Sequence, residues 1–300
     1  MGTPRAAVAT LERLIADGHE IVAVYTQPDR PSGRGQKLTQ SPVKQVALEH
    51  CIEVRQPLKI KTDEAFEEFR ALGVDAAIVV AYGRILPERW LTTFPHGAIN
   101  VHFSLLPKYR GAAPVNWAIA NGETETGVTT MQMDAGLDTG DILLQRSVSI
   151  DSEETAIELM DQLSIVGADL LAETIASLDT ITPHPQDESG ATFAPIMKKA
   201  DGLIDWSRSA VEIANRVRGF QPFPTSFTFL NGSRLTMWKA SPEEGRGTPG
   251  TVVRAAGDDF AVACGDGILK VSELQAEGKR RMNVRDLLNG SHLEVGTILG

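Results

Sequence analysis

The sequence predicts a protein of two domains, an α/β domain followed by a small antiparallel β domain. Its 300 residues allow two domains at roughly 100 to 200 residues each. In the first half, short β-branched runs alternate with helical patterns, which is typical of a sheet covered by helices. Beyond residue 203 the predicted strands are short, and turn pairs such as Asn231-Gly232 and Asp266-Gly267 separate them, as in a small barrel or sandwich. The expected parts are residues 1–180, a linker over 181–202, and residues 203–300.

The elements of the first domain follow from local patterns. Residues 4–17 are predicted to form a helix, with Thr3 as its N-cap and Pro4 as the first helical residue. The apolar run 76–81 is typical of a strand buried on both faces. The remaining elements, in order, are a strand at 20–26, a helix at 63–72, a strand at 97–101, a helix that closes at 117–121, strands at 129–133 and 141–149, and a helix at 155–177.

The beginning of the first domain departs from the usual order of an α/β fold. Such a domain ordinarily opens with a strand that leads into its first helix, yet only Met1 and Gly2 precede Thr3. We therefore expect the opening strand to be missing, either because translation of the natural protein starts upstream or because the domain lacks that strand. Loss of a central strand would expose the edges of its neighbours.

The second domain is expected to begin with a helix and to continue as short strands. A stretch rich in Pro and polar residues, 182–190, indicates the linker before it. The predicted elements are a helix at 209–219 and strands at 225–229, 234–240, 250–254, 260–263 and 268–275.

Composition excludes several classes of protein. The 42% of hydrophobic and 23% of charged residues are those of an ordinary globular protein, which excludes fibrous and disordered chains. No apolar run reaches the length of a membrane span, and the first twenty residues lack the core of a secretory signal. Cys51 and Cys264 are far apart and form neither a disulfide framework nor a zinc motif. We expect a cytoplasmic protein that needs no metal.

Charge is distributed unevenly along the chain. The net charge of -10 argues, taken alone, against a nucleic-acid partner, because Lys and Arg supply most phosphate contacts. Residues 1–202 hold 17 basic against 28 acidic residues, whereas residues 203–300 hold 12 against 11. Within the acidic part, the loop between Arg30 and Lys44 carries four basic residues, Gly and Pro, and no acidic residue. Such a loop fits contacts with a phosphate backbone, although a solvated loop is the commoner interpretation.

Two short clusters could carry chemistry. Asn100 and His102 lie two residues apart at the carboxyl end of a predicted strand, so both side chains emerge on one face at the edge where α/β sheets bind ligands. An amide can stabilise an oxyanion, and an imidazole can move a proton near neutral pH. A turn residue and a core histidine would give the same short pattern.

The second cluster is a glycine-punctuated loop with three carboxylates, Asp134, Asp138 and Asp141. A carboxylate there could orient the imidazole of His102. Without the first cluster, an Asx-rich turn would be the preferred interpretation.

The segment N-V-H-F-S-L-L-P-K-Y-R-G-A-A-P at 100–114, followed by Asp138 in G-L-D-T-G-D, resembles the folate-dependent formyltransferases. The loop Q-P-D-R-P-S-G-R-G at 27–35, S-P-V-K at 41–44 and I-D-W-S at 204–207 resemble the members that formylate methionine on initiator tRNA. The resemblance covers essentially the whole chain. It implies a Rossmann-like catalytic domain and an OB-like C-terminal β-barrel.

The resemblance also implies roles for particular residues. Asn100, His102 and Asp138 would be the catalytic group, and 10-formyltetrahydrofolate would be the formyl donor. The folate site would be lined by Ser104, Leu105, Leu106 and Pro107. The acceptor would be the α-amino group of methionyl-tRNA, with no metal and with the protein as a monomer. The residues expected to contact tRNA are Arg30, Arg34, Lys37 and Lys44 in the loop and Lys279, Arg280, Arg281 and Arg285 near the C-terminus.

Two other hypotheses stay open at the level of sequence. The same catalytic cluster could formylate a small acceptor such as an aminosugar, or hydrolyse formyltetrahydrofolate, but neither reaction uses the basic loop. A folate- or RNA-binding protein without catalysis is the third possibility.

Overall fold

The computed structural model describes residues 1–32, 37–290 and 293–300, with the side chains of Ser32 and Lys37 outside the description. The chain divides into two compact units, and each is described by itself. The first unit consists of Met1–Gly111, Glu125–Ser149 and Met160–Phe193. The second unit consists of Ala112–Thr124, Ile150–Leu159 and Ala194–Gly300.

The secondary structure follows the predicted alternation of strands and helices. The helices are α1 (Val8–Ala16), α2 (Pro42–Glu49), α3 (Asp63–Arg70), α4 (Glu88–Leu91), α5 (Pro114–Ala120), α6 (Ala156–Ala176), α7 (Ala210–Gly219) and α8 (Val284–Gly290). The strands are β1 (Val24–Tyr25), β2 (Arg30–Ser32), β3 (Lys37–Thr39), β4 (Val54–Arg55), β5 (Ala77–Val79), β6 (Ala98–His102), β7 (Arg110–Gly111), β8 (Glu125–Gln132), β9 (Ile142–Ser149), β10 (Phe193–Ala194), β11 (Ser226–Leu230), β12 (Ser233–Glu243), β13 (Val252–Ala256), β14 (Asp259–Ala263), β15 (Ile268–Ala276) and β16 (Met282–Asn283).

The main sheet of the first unit has the strand order β5-β6-β8-β9. β5 and β6 are parallel, whereas β8 runs antiparallel to both β6 and β9. A separate parallel pair, β1 and β4, continues the α/β pattern. α6 covers the main sheet, and Gly167 allows the close approach, because a Cβ atom there would lie 2.9 Å from Val101 Cγ1 and 3.4 Å from both Phe103 Cε1 and Val128 Cγ1.

Met1 and Gly2 lie between β1 and β5. The Met1 nitrogen donates to Ile78 O at 2.7 Å, the Gly2 amide donates to Tyr25 O at 2.9 Å, and Gly2 forms a single parallel bridge with Val80. A cavity of about 460 Å³ is lined by residues that include Met1, Gly2, Leu11 and Val24. The strand predicted at 20–26 is shorter in the structure, since only Val24 and Tyr25 pair with β4.

The predicted start of the first helix was wrong. Arg5–Ala7 form a 3-10 turn before α1, and Pro4 precedes that turn without a side-chain cap. The Thr3 hydroxyl is engaged elsewhere, because it donates to Tyr82 O at 3.3 Å and accepts from the Gln27 amide at 3.1 Å. Thr3 thus fastens the start of the chain to the loops after β1 and β5.

The second unit confirms the predicted antiparallel β domain. Its sheet has the order β11-β12-β15-β14-β13, and β16 pairs with β15. α7 begins as predicted at Ser209, which forms a capping box with Glu212. Phe260, Leu269 and Met237 are fully buried in the core between the sheet and the helices.

Two segments that precede the C-terminal domain in sequence pack with the second unit. Asn116 of α5 donates to Gly219 O at 2.8 Å, and Arg218 donates to the carbonyl oxygens of Asp151 and Glu154 at 3.1 and 3.0 Å. Among the described residues, no helix is long and apolar enough to cross a membrane.

The close packing at Gly167 gives a test of the fold. Gly167→Ala should lower the free energy of unfolding by about 1–3 kcal/mol, because the added methyl group overpacks the contact between α6 and the sheet. Gly290→Ala in α8 is the matched control, since a Cβ atom there meets nothing within 4 Å. It should leave stability unchanged or raise it by up to about 1 kcal/mol through helix propensity. Equal thermal midpoints for the two variants would contradict the described packing of α6.

Candidate active site

β6 carries Asn100 and His102, the two residues predicted to lie at a sheet edge. Asn100 pairs with Val79 of β5 and Met131 of β8, and His102, two residues on, pairs with Thr129. Residues two apart in a strand point to the same side. Asn100 is half-buried, and no described residue hydrogen-bonds to its amide. That amide can therefore turn its N–H groups to a ligand without breaking an internal bond.

The His102 ring lies between a carbonyl and a carboxylate. Its side chain is 6% exposed, and Nε2 lies 3.0 Å from Tyr109 O. A carbonyl oxygen only accepts, so Nε2 carries the hydrogen of the neutral ring. Nδ1 then has a free lone pair and lies 3.7 Å from Asp138 Oδ2, which is too far for a hydrogen bond. The ring can accept a second proton at Nδ1, where the carboxylate would stabilise the resulting charge.

Asp138 reaches His102 from the loop between β8 and β9. Its Oδ2 accepts from the Gly111 amide at 2.8 Å, and its backbone is left-handed, with φ 54°. Asp and Asn tolerate this region better than most residues with a side chain. The predicted pair of His102 and Asp138 is thus brought together in the structure.

Arg110 ties the site to the segment after α6. Its side chain is 2% exposed and donates to both carboxylate oxygens of Glu188, at 3.0 and 2.7 Å, and to Gln186 Oε1. The hydrogen bonds from Arg110 lower the pKa of the Glu188 carboxyl. They also raise the pKa of the guanidinium, which therefore stays charged although it is buried.

The residues predicted to line a folate site have differing exposure. Ser104 is fully buried and donates to Lys108 O at 2.6 Å, and the Leu106 side chain is buried. A Cβ atom at Gly127 would lie 2.6 Å from Leu105 Cδ2, and Pro107 is half-buried after a cis peptide bond. Contact with folate stays a prediction for these residues.

The predicted basic loop includes the antiparallel pair β2 and β3. Arg30 is exposed, whereas Arg34 and the Lys37 side chain lie outside the described residues. The Lys44 side chain is 15% exposed, and its ammonium group donates to Asp29 at 2.7 Å and to Gln56 at 2.8 Å. Lys44 therefore fastens the base of the loop.

The basic residues near the C-terminus are exposed. Arg281 lies over the ring of Trp238, with 5.1 Å from Cζ to the ring centroid, and forms an ion pair with Glu273. Arg285 forms an ion pair with Asp258. In the described part of the chain, Lys279 and Arg280 have no ion-pair partner. No group of three or more His, Cys, Asp or Glu residues suited to a metal ion is found there either.

The sequence did not reveal Tyr109, Arg110 and Gln186 as parts of the site. Tyr109 acts through its carbonyl oxygen, which every residue type has. Gln186 falls in the predicted linker, and it is 76 residues from Arg110. One feature of the sequence could have indicated these contacts. Arg110 lies within an apolar segment rich in Gly and Pro, and an arginine buried there needs hydrogen-bond acceptors.

The chain matches family models along most of its length. Residues 1–175 match the model described as formyl transferase, and residues 196–292 match the model of the formyl transferase C-terminal domain.

Curated relatives match the chain from end to end. A protein of Geobacter metallireducens named methionyl-tRNA formyltransferase is 50% identical over 302 residues, covering 100% of this chain and 97% of the relative. A protein of the same name from Alkaliphilus oremlandii is 51% identical over 304 residues, covering 100% and 98%.

Solved structures share the fold at low sequence identity. The N-formyltransferase from Helicobacter canadensis, in complex with folinic acid and dTDP-3-aminofucose, has a TM-score of 0.69 at 21% identity over 94% of this chain and 97% of its own. HypX from Aquifex aeolicus, in complex with tetrahydrofolic acid, has a TM-score of 0.59 at 18% identity over 83% of this chain and 47% of its own. Together with the family models, these likenesses confirm the predicted Rossmann-like α/β domain followed by a smaller C-terminal domain.

The left-handed backbone of Asp138 and its contact with the Gly111 amide lead to a prediction about stability. Asp138→Asn should stay within about 0.5 kcal/mol of the original protein, because asparagine tolerates the left-handed backbone and keeps an acceptor for the Gly111 amide. Asp138→Ala should cost about 1–3 kcal/mol, because it strains the backbone and leaves that amide unpaired. Thermal unfolding of both variants measures the difference, and equal losses would refute the described contact.

Proposed function

The chain belongs to the formyl transferase family, and we propose that it transfers the formyl group of 10-formyltetrahydrofolate to the α-amino group of methionine on initiator tRNA. The observation that carries this proposal is identity of about 50% over the full chain to proteins named methionyl-tRNA formyltransferase. The chemistry fits an amide, an imidazole and a carboxylate at one sheet edge.

Asn100 would stabilise the tetrahedral intermediate. The amine of methionine attacks the formyl carbon, and the carbonyl oxygen of the formyl group becomes an oxyanion. A fixed N–H donor aimed at that oxygen is worth about 10²- to 10³-fold in rate. Asn100 is the candidate, because its amide is on the same face of β6 as His102 and has no internal partner among the described residues.

His102 and Asp138 would handle the proton. The attacking amine must lose a proton, and N10 of the folate must gain one when its bond to the formyl carbon breaks. His102 can take the proton at Nδ1 and return it to N10, while the Asp138 carboxylate stabilises the charged ring. Tyr109 O holds the opposite side of the ring in place.

The donor and the parts of the chain are assigned by resemblance. Folate would bind against the segment of Ser104, Leu105, Leu106 and Pro107, through backbone groups where the side chains are buried. Residues 1–180 would form the catalytic domain, 181–202 the linker and 203–300 the tRNA-binding domain. The proposed setting is a monomer in the cytoplasm.

The tRNA contacts are proposed at two surfaces. Arg30, Arg34 and Lys37 would contact phosphates at the acceptor end, and Lys44 would hold the base of their loop through Asp29 and Gln56. Lys279 and Arg280 are the stronger candidates on the C-terminal surface, since Arg281 and Arg285 are in ion pairs.

An aminosugar acceptor is the second candidate. A solved structure with the same fold holds dTDP-3-aminofucose, and the catalytic cluster would suit such an amine equally well. A basic loop in an acidic protein favours the polyanionic acceptor.

Removal of the Asn100 amide tests the assignment of the oxyanion donor. Asn100→Ala should lower turnover of methionyl-tRNA by about 10²- to 10³-fold. Binding of folate, measured by fluorescence titration, should change little. A loss below tenfold would mean that another group holds the oxyanion, and absence of any formylation by the unmodified protein would refute the function.

Substitution of the basic residues in the loop tests whether the acceptor is tRNA or a small molecule. The double variant Arg34→Ala/Lys37→Ala should raise the KM for tRNA roughly tenfold or more while the KM for folate stays unchanged, because it removes phosphate contacts. Arg5→Ala/Arg70→Ala removes the same charge from exposed sites elsewhere on the first unit and should have little effect. Equal KM values for tRNA in both double variants would favour a small acceptor.

A further inference from the structure

We propose that Gln186, held by Arg110, is a positioning residue that sets the Asp138 carboxylate for formyl transfer. The inference rests on the proposed function of the site and adds a residue to it from outside the predicted catalytic group. All of the residues involved belong to the first compact unit.

The Gln186 side chain bridges Arg110 and the Asp138 loop. Its amide nitrogen donates to Asp138 O at 2.9 Å and to Gly140 O at 2.7 Å. Its amide oxygen accepts from Arg110 Nε at 3.0 Å and from a terminal guanidinium nitrogen at 2.8 Å. A guanidinium can only donate and carbonyl oxygens can only accept, so the amide has one possible orientation.

The Asp138 loop needs such an external support. The loop around Asp138 lies outside regular secondary structure, so its carbonyl oxygens need hydrogen-bond donors from elsewhere. The loop also crosses close to β8, since a Cβ atom at Gly140 would lie 1.8 Å from Gln132 O. Gln186 gives hydrogen-bond partners to carbonyl oxygens on both sides of Thr139 and thereby fixes the turn that carries the carboxylate.

The support converges with the contacts that hold the catalytic pair. Tyr109 O binds the His102 ring, the Gly111 amide binds the Asp138 carboxylate, and the Arg110 side chain between them holds Gln186. Three consecutive residues thus fix the imidazole, the carboxylate and the loop behind that carboxylate. A shift of the loop would move Asp138 Oδ2 relative to His102 while both residues stayed in the fold.

A purely structural role would be different. In that case Gln186 would only fasten the segment around it to Arg110, next to the pairing of His184 with Ile142. The two roles use opposite ends of the amide. The fastening role needs the acceptor that faces Arg110, and the positioning role needs the donor that faces the loop.

Two substitutions separate these ends. Gln186→Glu keeps an acceptor for Arg110 but places negative charge against two carbonyl oxygens, whereas Gln186→Met removes both ends. Gln221→Met is the matched control, because the Gln221 amide also donates to two backbone carbonyls, those of Val217 at 3.0 Å and Trp238 at 2.9 Å, in the second unit.

We expect Gln186→Glu to lower kcat for methionyl-tRNA by about 10- to 100-fold, as for a displacement of about 1 Å in a catalytic group. The KM values for folate and tRNA should stay within about threefold. The thermal midpoint should fall, as in Gln221→Met, because each variant removes two hydrogen bonds to backbone carbonyl oxygens. Gln186→Met should lower kcat by the same factor as Gln186→Glu or by a smaller one. Gln221→Met should lower the thermal midpoint and leave kcat unchanged.

Hydrogen exchange at the Gly111 amide provides a readout independent of activity. That amide donates to Asp138 Oδ2, so it should exchange at least about tenfold faster in Gln186→Glu and at the original rate in Gln221→Met. Unchanged kcat and unchanged Gly111 exchange in Gln186→Glu would overturn the proposal, as would a loss confined to Gln186→Met. An original protein that does not formylate methionyl-tRNA would refute the proposed function, and exchange at Gly111 would still decide the role of Gln186.

Discussion

The hydrogen bond from the Gly111 amide to the Asp138 carboxylate is the contact on which the site depends. It joins the loop after β8 to the segment after β6, two parts of the chain separated by 27 residues. It holds the carboxylate beside the imidazole at the end of β6. The neighbouring carbonyl of Tyr109 fixes the other side of that imidazole. Main-chain groups therefore hold both the imidazole and the carboxylate in place.

Such an arrangement is favourable only if its buried polar groups find partners. Arg110 is almost fully buried, and a lone guanidinium in that position would cost several kcal/mol. Glu188 and Gln186 together satisfy it, although Glu188 itself is largely exposed. Solvent partly screens the ion pair on the Glu188 side, and the Gln186 amide holds the guanidinium group of Arg110 in place. Because both partners lie in the segment that follows α6, Arg110 also fixes the position of that segment.

Much of the fold was predictable because it depends on local patterns. The spacing of apolar residues placed α3, α6 and α7 closely, and turn pairs placed the strands of the second unit. The strand periodicity put Asn100 and His102 on one face, and the resemblance supplied Asp138. Their catalytic roles remain predictions, since proximity alone does not establish them.

The features that the sequence did not predict have a common physical cause, which is that they depend on contacts between residues distant in the chain. Thr3 suits an N-cap by type, but its hydroxyl binds partners 24 and 79 residues away. Gln186 and Tyr109 act through contacts that no local pattern encodes, because one is remote in sequence and the other uses its backbone. For Lys44 the contact with tRNA stays a prediction, and the structure adds that Asp29 and Gln56 bind its ammonium group.

The pairing of Lys44 changes how the loop would respond to ionic strength. A polyanion releases condensed counterions only to cations that neutralise its phosphates, and each such contact steepens the dependence of affinity on salt. Asp29 already neutralises Lys44, so Lys44 would add little to the salt dependence of the proposed tRNA binding. The effective charge of the loop is therefore set by its fold as well as by its composition.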